Sequence, residues 1–361
     1  MQIIKAAVCH EFGAPLVIED IQLAAPDMGL VEVTLKAVAI CHSDIHYAEG
    51  GWGGNLPAVY GHEAAGVISA IGAGVSGFSE GDSVVVTLIR ACGTCPNCAQ
   101  GKPTICETPV DGFKGPIRTA DGGPLDQSLA CGAFAEKVVV DQSQIVKIPA
   151  TISKDVACLL SCGVITGVGA VVNTAGLRAG QDVVVIGAGG VGLNAIQGAR
   201  IAGARRIVAV DMTPEKLEIA KSFGATHGVL ANEKTPWKAA FKALGGRGAD
   251  VVLVTVGTIP AYNQAPRFLA PGGKVIVVGL PHAGDMAQYE PLILGVVSQG
   301  LIGTKMGDSV IQRDIPWLID LYQQGRLKLD ELVSGRWRLD QINEAIADTK
   351  TGSAKRNVIL F

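Results

Sequence analysis

The sequence predicts an α/β protein in which a mainly β region precedes a doubly wound parallel sheet. Short β-like runs punctuated by Gly, Pro and Asp fill the chain to about Pro149. After about Thr151, strand-like apolar runs alternate with helix-length segments, and a glycine-rich turn joins the first of these strands to a helix. The chain has 361 residues, which at roughly 100–200 residues per domain favours two domains.

The first region is predicted to be a compact β barrel or sandwich. Its long loops lie around Cys92–Cys131, and loops of that length in a compact domain are functional, metal-stapled or disordered. The strand-like runs that carry this prediction are Val31–Val38, Ala65–Ile71, Ser83–Leu88 and Ala135–Val140.

The second region is predicted to hold six parallel strands with helices between them. Uniformly apolar strands separated by amphipathic helices indicate a parallel sheet that is covered on both faces. The strands are Asp182–Ile186, Arg206–Val210, Gly228–Leu230, Val251–Val256, Lys274–Val278 and Leu301–Gly303. The helices are Val191–Ala202, Glu215–Phe223, Pro236–Leu244, Ile259–Leu269 and Pro291–Gln299, and the tail adds helices at Ile315–Gln323 and Gln341–Lys350 and a strand at Val358–Phe361.

The charge balance excludes some classes of partner. There are 33 acidic and 30 basic residues, a net charge of −3, and no long basic run, so neither nucleic acid nor an anionic membrane is expected to bind. The N-terminus has no apolar run of signal-peptide length. The uncharged run Val156–Leu177 is long enough to span a bilayer, but its polar residues and glycines favour a buried segment. We expect a cytoplasmic protein.

A glycine-rich turn carries the clearest cofactor signal. Asp182–Ile186 is followed by G-A-G-G-V-G and then a helix, the setting that the G-x-G-x-x-G dinucleotide-binding pattern requires. Glycine permits the tight turn, the approach of a pyrophosphate and close helix packing, while the helix N-terminus offers N–H groups to phosphate. The residues are Gly187, Gly189, Gly190, Val191 and Gly192.

An acid follows that turn at the end of the next strand. Asp211 lies about 20 residues past the glycines, where a carboxylate accepts hydrogen bonds from the adenosine ribose. The same carboxylate would repel a 2′-phosphate. The sequence therefore favours NAD over NADP.

Four clustered cysteines predict a structural zinc site. The chain has nine cysteines and no export signal, so clustered thiols point to a metal rather than to disulfides. Four thiolates in C-x2-C-x2-C-x7-C spacing suit tetrahedral zinc and leave no open position. An iron–sulfur cluster is the main alternative, although ferredoxin motifs continue as C-x3-C-P; free thiols are the other. The ligands would be Cys92, Cys95, Cys98 and Cys106.

Two further segments suggest an open metal site. Cys41-His42-Ser43-Asp44-Ile45-His46 and Gly61-His62-Glu63 each place a metal-binding side chain beside a carboxylate. A catalytic zinc commonly uses three protein ligands and leaves the fourth position for substrate. A polar loop without metal is the alternative for these residues taken alone.

The order and spacing of these motifs resemble the zinc-dependent medium-chain alcohol dehydrogenases over essentially the whole chain. The resemblance implies a Rossmann domain for NAD and a mainly β, GroES-like catalytic domain. It also implies a catalytic zinc on Cys41, His62 and Cys162, in addition to the structural zinc, and the reversible oxidation of an alcohol by hydride transfer to NAD. The implied domains are residues 1–163 with 305–361, and 164–304.

The resemblance also implies supporting roles around the zinc and the cofactor. Asp44 would fix the ring of His62, and Glu63 would lie near the metal. Ser43 would accept the alcohol proton and His46 would release it to solvent. The remaining implied residues are His42 and Arg356 at the pyrophosphate, Lys216 at the adenosine ribose, Val256 and Val278 beside the nicotinamide, and Trp52 and Leu88 along the substrate channel.

Three other functions stay open at this stage. The nearest is a dehydrogenase of the same family that acts on the thiol adduct of formaldehyde. The others are a zinc-free quinone reductase of the same superfamily and a metal-stabilised binding protein with a degenerate dinucleotide fold. The long segment between Cys106 and Cys131 resembles that of the larger dimeric members, so we expect a homo-oligomer, with a dimer favoured over a tetramer.

Overall fold

The structure, a computed structural model, describes residues 1–361. The chain divides into two compact units. Unit 1 comprises Met1–Cys162, Val310–Gly325 and Leu329–Phe361, and unit 2 comprises Gly163–Ser309 and Arg326–Lys328.

Strands and helices are numbered in chain order. The strands are β1 (Gln2–Cys9), β2 (Val17–Leu23), β3 (Leu30–Ala39), β4 (Ala58–Val59), β5 (Glu63–Ile71), β6 (Ser83–Val86), β7 (Ile117–Thr119), β8 (Asp126–Gln127), β9 (Lys137–Asp141), β10 (Ile145–Lys147), β11 (Asp182–Ile186), β12 (Arg206–Asp211), β13 (His227–Leu230), β14 (Ala249–Val254), β15 (Leu269–Val277), β16 (Gly300–Gly303), β17 (Val333–Arg338) and β18 (Arg356–Leu360). The α-helices are α1 (His42–Ala48), α2 (Pro96–Ala99), α3 (Lys154–Ala157), α4 (Gly163–Gly169), α5 (Gly190–Ile201), α6 (Pro214–Phe223), α7 (Pro236–Ala243), α8 (Ile259–Gln264), α9 (Pro291–Val296), α10 (Ile311–Gln323) and α11 (Ile342–Lys350).

Unit 1 is built from two sheets. One has five strands in the order β7-β2-β1-β4-β8, and the other has seven, in the order β10-β6-β5-β3-β18-β17 with β9 also paired to β3. Long β3 is central because it pairs with β5, β9 and β18 along different parts of its length. Its buried valines and leucines pack into one apolar core with side chains of both sheets. The register brings Ala39 beside both Glu63 and Val358, so the starts of β5 and β18 lie near each other.

Unit 2 is a six-stranded parallel sheet in the order β13-β12-β11-β14-β15-β16. Counted along the chain this is the order 3-2-1-4-5-6, the doubly wound arrangement in which ligands bind beyond the carboxyl ends of the strands. All five residues of β11 are buried, as expected for a central strand that is covered on both faces. The α/β class, with a Rossmann sheet and a mainly β domain, is therefore confirmed.

Several element boundaries differ from the sequence prediction for physical reasons. The predicted helix 259–269 ends as α8 at Gln264 and continues as a 3-10 turn, Ala265–Phe268, because Pro266 lacks the N–H that an α-helix needs. Helix α10 begins at Ile311 rather than Ile315, since the Asp314 carboxylate accepts a hydrogen bond from the backbone N–H of Val310.

The unit boundaries also differ by a few residues from those expected. Residues 305–309 belong to unit 2 rather than to the catalytic region, because Ser309 Oγ donates to the carbonyl of Ile165. Residues 326–328 return to unit 2, where the backbone N–H of Lys328 donates to Gln197 Oε1 at 2.7 Å.

The apolar segment noted in the sequence forms two short helical stretches. No single helix of the chain has the length and apolar composition needed to cross a membrane. The pair Lys154–Ser161 and Gly163–Thr174 meets those requirements only when its two bent parts are taken together.

Candidate metal centres and cofactor loop

The first cluster begins where β3 runs into α1. Cys41 has an extended backbone and caps the N-terminus of α1, and Asp44 lies in the first turn of that helix. The Asp44 carboxylate accepts hydrogen bonds from the backbone N–H of Cys41 at 3.1 Å and from that of Gly61 at 3.0 Å. It also contacts His62 Nδ1 at 2.8 Å. A single buried carboxylate thus joins the helix start to the turn before β5.

That turn depends on a glycine. Gly61 has φ +92°, and a Cβ atom there would come within 2.6 Å of the backbone nitrogen of Phe134. The chain can therefore pass close to Phe134 and deliver His62, which is fully buried, to the start of β5. Because its Nδ1 faces Asp44, the ring directs Nε2 towards the opposite side.

Cys162 reaches the same place from the end of unit 1. It follows the 3-10 turn Cys158–Ser161. Ser161 Oγ donates to the carbonyl of Ala64 in β5 at 3.0 Å, which fastens this turn beside the strand that Glu63 begins.

The residue types and geometry of this cluster fit a zinc ion. The ligand atoms of Cys41, His62, Glu63 and Cys162 all lie within 4.8 Å of one another, and all four residues are buried. His62 Nε2 is buried and has no oxygen or nitrogen partner in the protein, and the ring interacts with the Cys41 sulfur. A buried imidazole nitrogen normally has a hydrogen-bond partner. One that lies beside two sulfurs without an oxygen or nitrogen partner is well explained if it binds a metal ion.

The electrostatics of the cluster already favour charge on one sulfur. A hydrogen bond from the Cys162 thiol lowers the pKa of Cys41 well below its usual value, with help from His62, and the same bond raises the pKa of Cys162. Burial opposes protonation of His62, but the Asp44 carboxylate outweighs it, so the pKa of His62 is raised. Metal binding replaces such protons, since the ligands of zinc are thiolates and neutral imidazole.

Glu63 has a second partner. It forms a fully buried ion pair with Arg356, the first residue of β18. Burial raises the pKa of the Glu63 carboxyl to about 7, against the opposing pull of the Arg356 guanidinium. Arg356 is therefore not a solvated terminal charge, and the prediction that it contacts a pyrophosphate stays a prediction.

The second cluster lies in the four-cysteine lobe. The sulfurs of Cys92 and Cys98 are 4.0 Å apart, as are those of Cys95 and Cys106. Tetrahedral zinc with Zn–S bonds of about 2.3 Å separates its sulfurs by roughly 3.8 Å. All four sulfurs lie within 4.8 Å of one another, so this group also fits a closed zinc site.

Backbone and hydroxyl donors lower the pKa of two of the four thiols in the lobe, whereas burial raises the pKa of Cys98. The Thr108 hydroxyl and the N–H groups of Thr94 and Cys95 lower the pKa of Cys92 to about 5. The N–H of Cys92 in turn donates to the Cys106 sulfur at 3.4 Å and lowers the pKa of that thiol. These donors favour thiolates, the form of cysteine that binds metal.

The glycine loop lies in unit 2 between β11 and α5. Gly187 has φ +99°, and Thr255 Oγ1 donates to its carbonyl oxygen at 3.0 Å. At Gly189, the N-cap of α5, a Cβ atom would meet nothing within 4 Å. The loop therefore leaves open space in front of the N-terminus of a long helix, where phosphate is favoured.

Asp211 is tied to this loop. Its carboxylate accepts hydrogen bonds from the backbone N–H groups of Ala188 and Met212, both at 2.7 Å. The predicted acid at the end of β12 thus lies directly beside the glycines. The tie to Ala188 was not anticipated, because sequence spacing does not reveal which N–H an acid will face.

The structure places the other predicted residues as follows. Ser43 Oγ lies 3.7 Å from the Cys41 sulfur, so it is beside the buried cluster. His42 is exposed at the start of α1, and Leu88 is partly buried just past β6. Lys216 is partly buried on α6. Val256 and Val278 come just after the ends of β14 and β15, rather than at the strand ends as predicted. The ring of His46 stacks on that of Trp52.

Comparisons with known proteins identify the family to which the two units are similar. The family described as "Alcohol dehydrogenase GroES-like domain" matches residues 27–150, and "Zinc-binding dehydrogenase" matches residues 190–324. The "NDMA-dependent alcohol dehydrogenase" of Amycolatopsis methanolica is 37% identical over 366 residues, covering 99% of this chain and 98% of that protein.

Solved structures give the same picture. An alcohol dehydrogenase zinc-binding domain protein from Burkholderia ambifaria matches with a TM-score of 0.95 and 35% identity, covering 100% of this chain and 99% of the other. Benzyl alcohol dehydrogenase from Acinetobacter calcoaceticus matches with a TM-score of 0.93 and 31% identity, and both chains are covered in full, at 100%.

The fold and the two cysteine-rich clusters define a zinc-binding dehydrogenase, an oxidoreductase with a dinucleotide-type fold. More particularly, the chain belongs to the zinc-dependent medium-chain alcohol dehydrogenase family. The resemblance inferred from the sequence and the expected action on an alcohol are confirmed.

Proposed function

We propose that this protein oxidises small apolar alcohols with NAD and holds two zinc ions per chain. The observation that carries the proposal is the buried group of Cys41, His62 and Cys162, in which the ligand atoms lie within 4.8 Å of one another and no oxygen or nitrogen atom is bonded to His62 Nε2. Two thiolates and one imidazole are the ligand set of an open, catalytic zinc, whereas the four thiolates of the lobe suit a closed, structural one.

The residues around the open cluster support a division of roles. Zinc bound there would act as a Lewis acid that lowers the pKa of the substrate hydroxyl. Asp44 holds the His62 ring, and Ser43 is near enough to Cys41 to hydrogen-bond an alcohol beside the cluster. Ser43 would take up the hydroxyl proton and His46 would release it to solvent. Glu63 stays a proposed neighbour of the metal.

The cofactor assignment rests on the loop and its acid. When bound, NAD accepts the hydride at its nicotinamide ring. Asp211 is held beside the glycine loop by Ala188, where a carboxylate favours ribose hydroxyls over a 2′-phosphate. His42, Arg356, Lys216, Val256 and Val278 stay proposed cofactor contacts.

The substrate and assembly proposals rest on apolar side chains. Trp52 and Leu88 would give the substrate channel an apolar wall, and one structural relative is a benzyl alcohol dehydrogenase. Helix α9 exposes Leu292, Ile293 and Val296, which is consistent with a homo-oligomer. We favour a dimer, which sedimentation would show as twice the chain mass.

Metal analysis and an NADH-absorbance assay on matched cysteine variants test the proposal. The purified protein should hold two zinc ions and form NADH from benzyl alcohol and NAD. Cys162→Ser should retain one zinc and lose at least about a hundredfold in kcat/KM, because the open site loses a thiolate ligand. Cys158→Ser is the matched control: this buried cysteine donates to the carbonyl of Asp155 and is outside the metal cluster.

The outcomes separate the alternatives. The proposal would be contradicted if Cys158→Ser lost as much zinc and activity as Cys162→Ser. It would also be contradicted if the wild-type protein held one zinc and formed no alcohol-dependent NADH. Turnover only when NDMA is the acceptor would show that free NAD is not the co-substrate. A preference for S-hydroxymethyl thiol adducts over benzyl alcohol would assign the formaldehyde-linked activity instead.

A further inference from the structure

The end of α1 carries a stacked pair of rings whose role the proposed function does not explain. The imidazole of His46 and the indole of Trp52 have centroids 5.0 Å apart and planes inclined by 26°. The family resemblance implies for Trp52 only a place in the wall of the substrate channel. Its indole, however, lies on the imidazole to which the proposed function assigns proton release.

Trp52 is held from a second direction by the core of unit 1. Its ring meets Tyr47 edge-on, with centroids 5.2 Å apart and planes at 88°. Tyr47 stacks against Tyr60 at 6.3 Å, and Tyr60 Oη donates to the Tyr47 carbonyl at 3.4 Å. Tyr60 is only 2% exposed and lies two residues before His62. The indole is therefore anchored to the segment that carries a predicted zinc ligand.

The loop that presents Trp52 otherwise consists of glycines. Trp52 is the only residue with a side chain between Gly50 and Gly54. The loop folds back onto the helix end, where the N–H of Gly51 donates to the carbonyl of His46 at 2.8 Å. The indole is thus the side chain through which this loop contacts the two rings at the end of α1.

We propose that Trp52 is a positioning residue for proton transfer: its indole face fixes the plane of the His46 imidazole. The inference rests on the proposed role of His46. In that step the O–H bond of the alcohol breaks, the proton passes by way of Ser43, an N–H bond forms on His46, and the proton then leaves to water.

The physics of the stack suits that role. An offset-stacked ring limits rotation of the imidazole about its Cβ–Cγ bond. An indole face also attracts an imidazolium more strongly than a neutral imidazole, so it favours the state in which His46 holds the proton. A residue that only lined the substrate channel would do neither.

A double-mutant cycle tests the proposal. The readout is the single-turnover rate of NADH formation from ethanol, with KM measured separately. His46→Gln should slow the single turnover by about tenfold or more. Trp52→Leu should slow it by roughly three- to tenfold with KM within about twofold, because the stack is lost while an apolar side chain remains. The double variant should be no slower than His46→Gln alone, since Trp52 acts through that ring.

Two further variants guard against an effect on folding. Trp52→Phe keeps a stacking ring and should recover most of the wild-type rate. Trp317→Leu removes a partly buried tryptophan of α10 in the same unit and should leave both the rate and the two zinc ions unchanged.

The possible results are distinguishable. If His46→Gln is as fast as the wild type, the proposed proton route is wrong and this inference falls with it, although zinc-dependent alcohol oxidation still stands. If His46→Gln is slow and Trp52→Leu adds its full effect to it in the double variant, Trp52 does not act through His46 and the inference is overturned. The inference is also overturned if Trp52→Leu raises only the KM for ethanol, because Trp52 is then a channel residue alone.

Discussion

At the scale of single residues, Asp44 does most to shape the proposed catalytic centre. Its two oxygens receive the N–H groups of Cys41 and Gly61 and face Nδ1 of His62. All of these partners are donors, so the site requires a side chain that only accepts. A carboxylate meets that requirement, and its charge also favours a His62 that binds through Nε2.

Asp44→Asn tests this requirement. The amide nitrogen would face at least one N–H donor, so we expect zinc affinity at the open site to fall about 10- to 100-fold and kcat/KM to fall with it. Competition with a zinc-binding dye measures the affinity. Asp126→Asn is the control, because Asp126 is a buried aspartate of unit 1 that contacts Asn55 rather than the cluster. Unchanged zinc affinity in Asp44→Asn would show that the carboxylate is dispensable.

The sequence predicted the members of this centre better than their partners. Cys41, His62 and Cys162 followed from motifs that resemble a known family, and the structure brings them together. A structural salt bridge was one interpretation of Glu63, but its partner Arg356 was missed because the two residues are far apart in the sequence. They meet through the pairing of β3 with β5 and β18. No local pattern records such a contact.

At the scale of elements, a buried ionic cluster joins four strands of unit 1. Glu32 in β3 accepts hydrogen bonds from Gln2 of β1, Ser69 of β5 and Lys137 of β9. Burial alone would raise the pKa of Glu32, but Ser69 and Lys137 outweigh it, so the pKa is lowered from its ordinary value of 4.5. The cluster therefore stabilises the fold above the unfolded pKa and ceases to do so as pH falls through the lower, folded pKa.

Glu32→Gln should follow that pH dependence. We expect the variant to lose about 1 kcal/mol of unfolding free energy at pH 7, a deficit that shrinks as the pH falls below about 4.5. Urea unfolding of both proteins across that range measures it. Asp20→Asn breaks the exposed pair with Lys5 and should change stability far less. If the stability deficit of Glu32→Gln grew as the pH fell, it would contradict the lowered pKa of Glu32.

Elements were predictable where periodicity was strong. Strand β11 was predicted at its observed bounds because five consecutive apolar or capping residues are followed at once by glycine. The ends of strands were predicted less accurately. Strand β14 stops at Val254, not Val256, because its last pairing with β15 joins Val254 to Val277. The hydroxyl of Thr255 then donates to the carbonyl oxygens of Ile186 and Gly187. Hydrogen bonds of that kind are set by the neighbouring strand, which a local pattern does not contain.

At the scale of the whole molecule, the chain has two compact units, each with its own buried apolar cluster. Both predicted zinc sites fall in unit 1, and the glycine loop and Asp211 fall in unit 2. Metal and dinucleotide should therefore stabilise different units, because a ligand stabilises the folded state to which it binds.

Calorimetry can separate the two contributions. Removal of zinc with a strong chelator should lower the midpoint temperature of one thermal transition. NAD at a hundred times its Kd should raise the midpoint temperature of the other, because it stabilises the folded unit that binds it by about 2.7 kcal/mol. Limited proteolysis during heating should show that the fragments released first after chelation come from residues 1–162. A single transition that chelator and NAD shift together would show that the units unfold as one.

Three of the four glycines of the cofactor loop differ in the neighbours that a side chain would meet. A Cβ at Gly187 would lie 2.5 Å from Val256 Cγ1, and one at Gly192 would lie 1.8 Å from the Gly187 carbonyl oxygen, whereas one at Gly189 would meet no protein atom within 4 Å. A side chain at position 187 or 192 would therefore disturb the fold itself. At 189 the fold has room for a methyl group, so the group that a side chain there would obstruct is the proposed dinucleotide. We therefore expect a chain with alanine at position 189 to fold and to bind its proposed zinc ions, but to bind NAD more weakly.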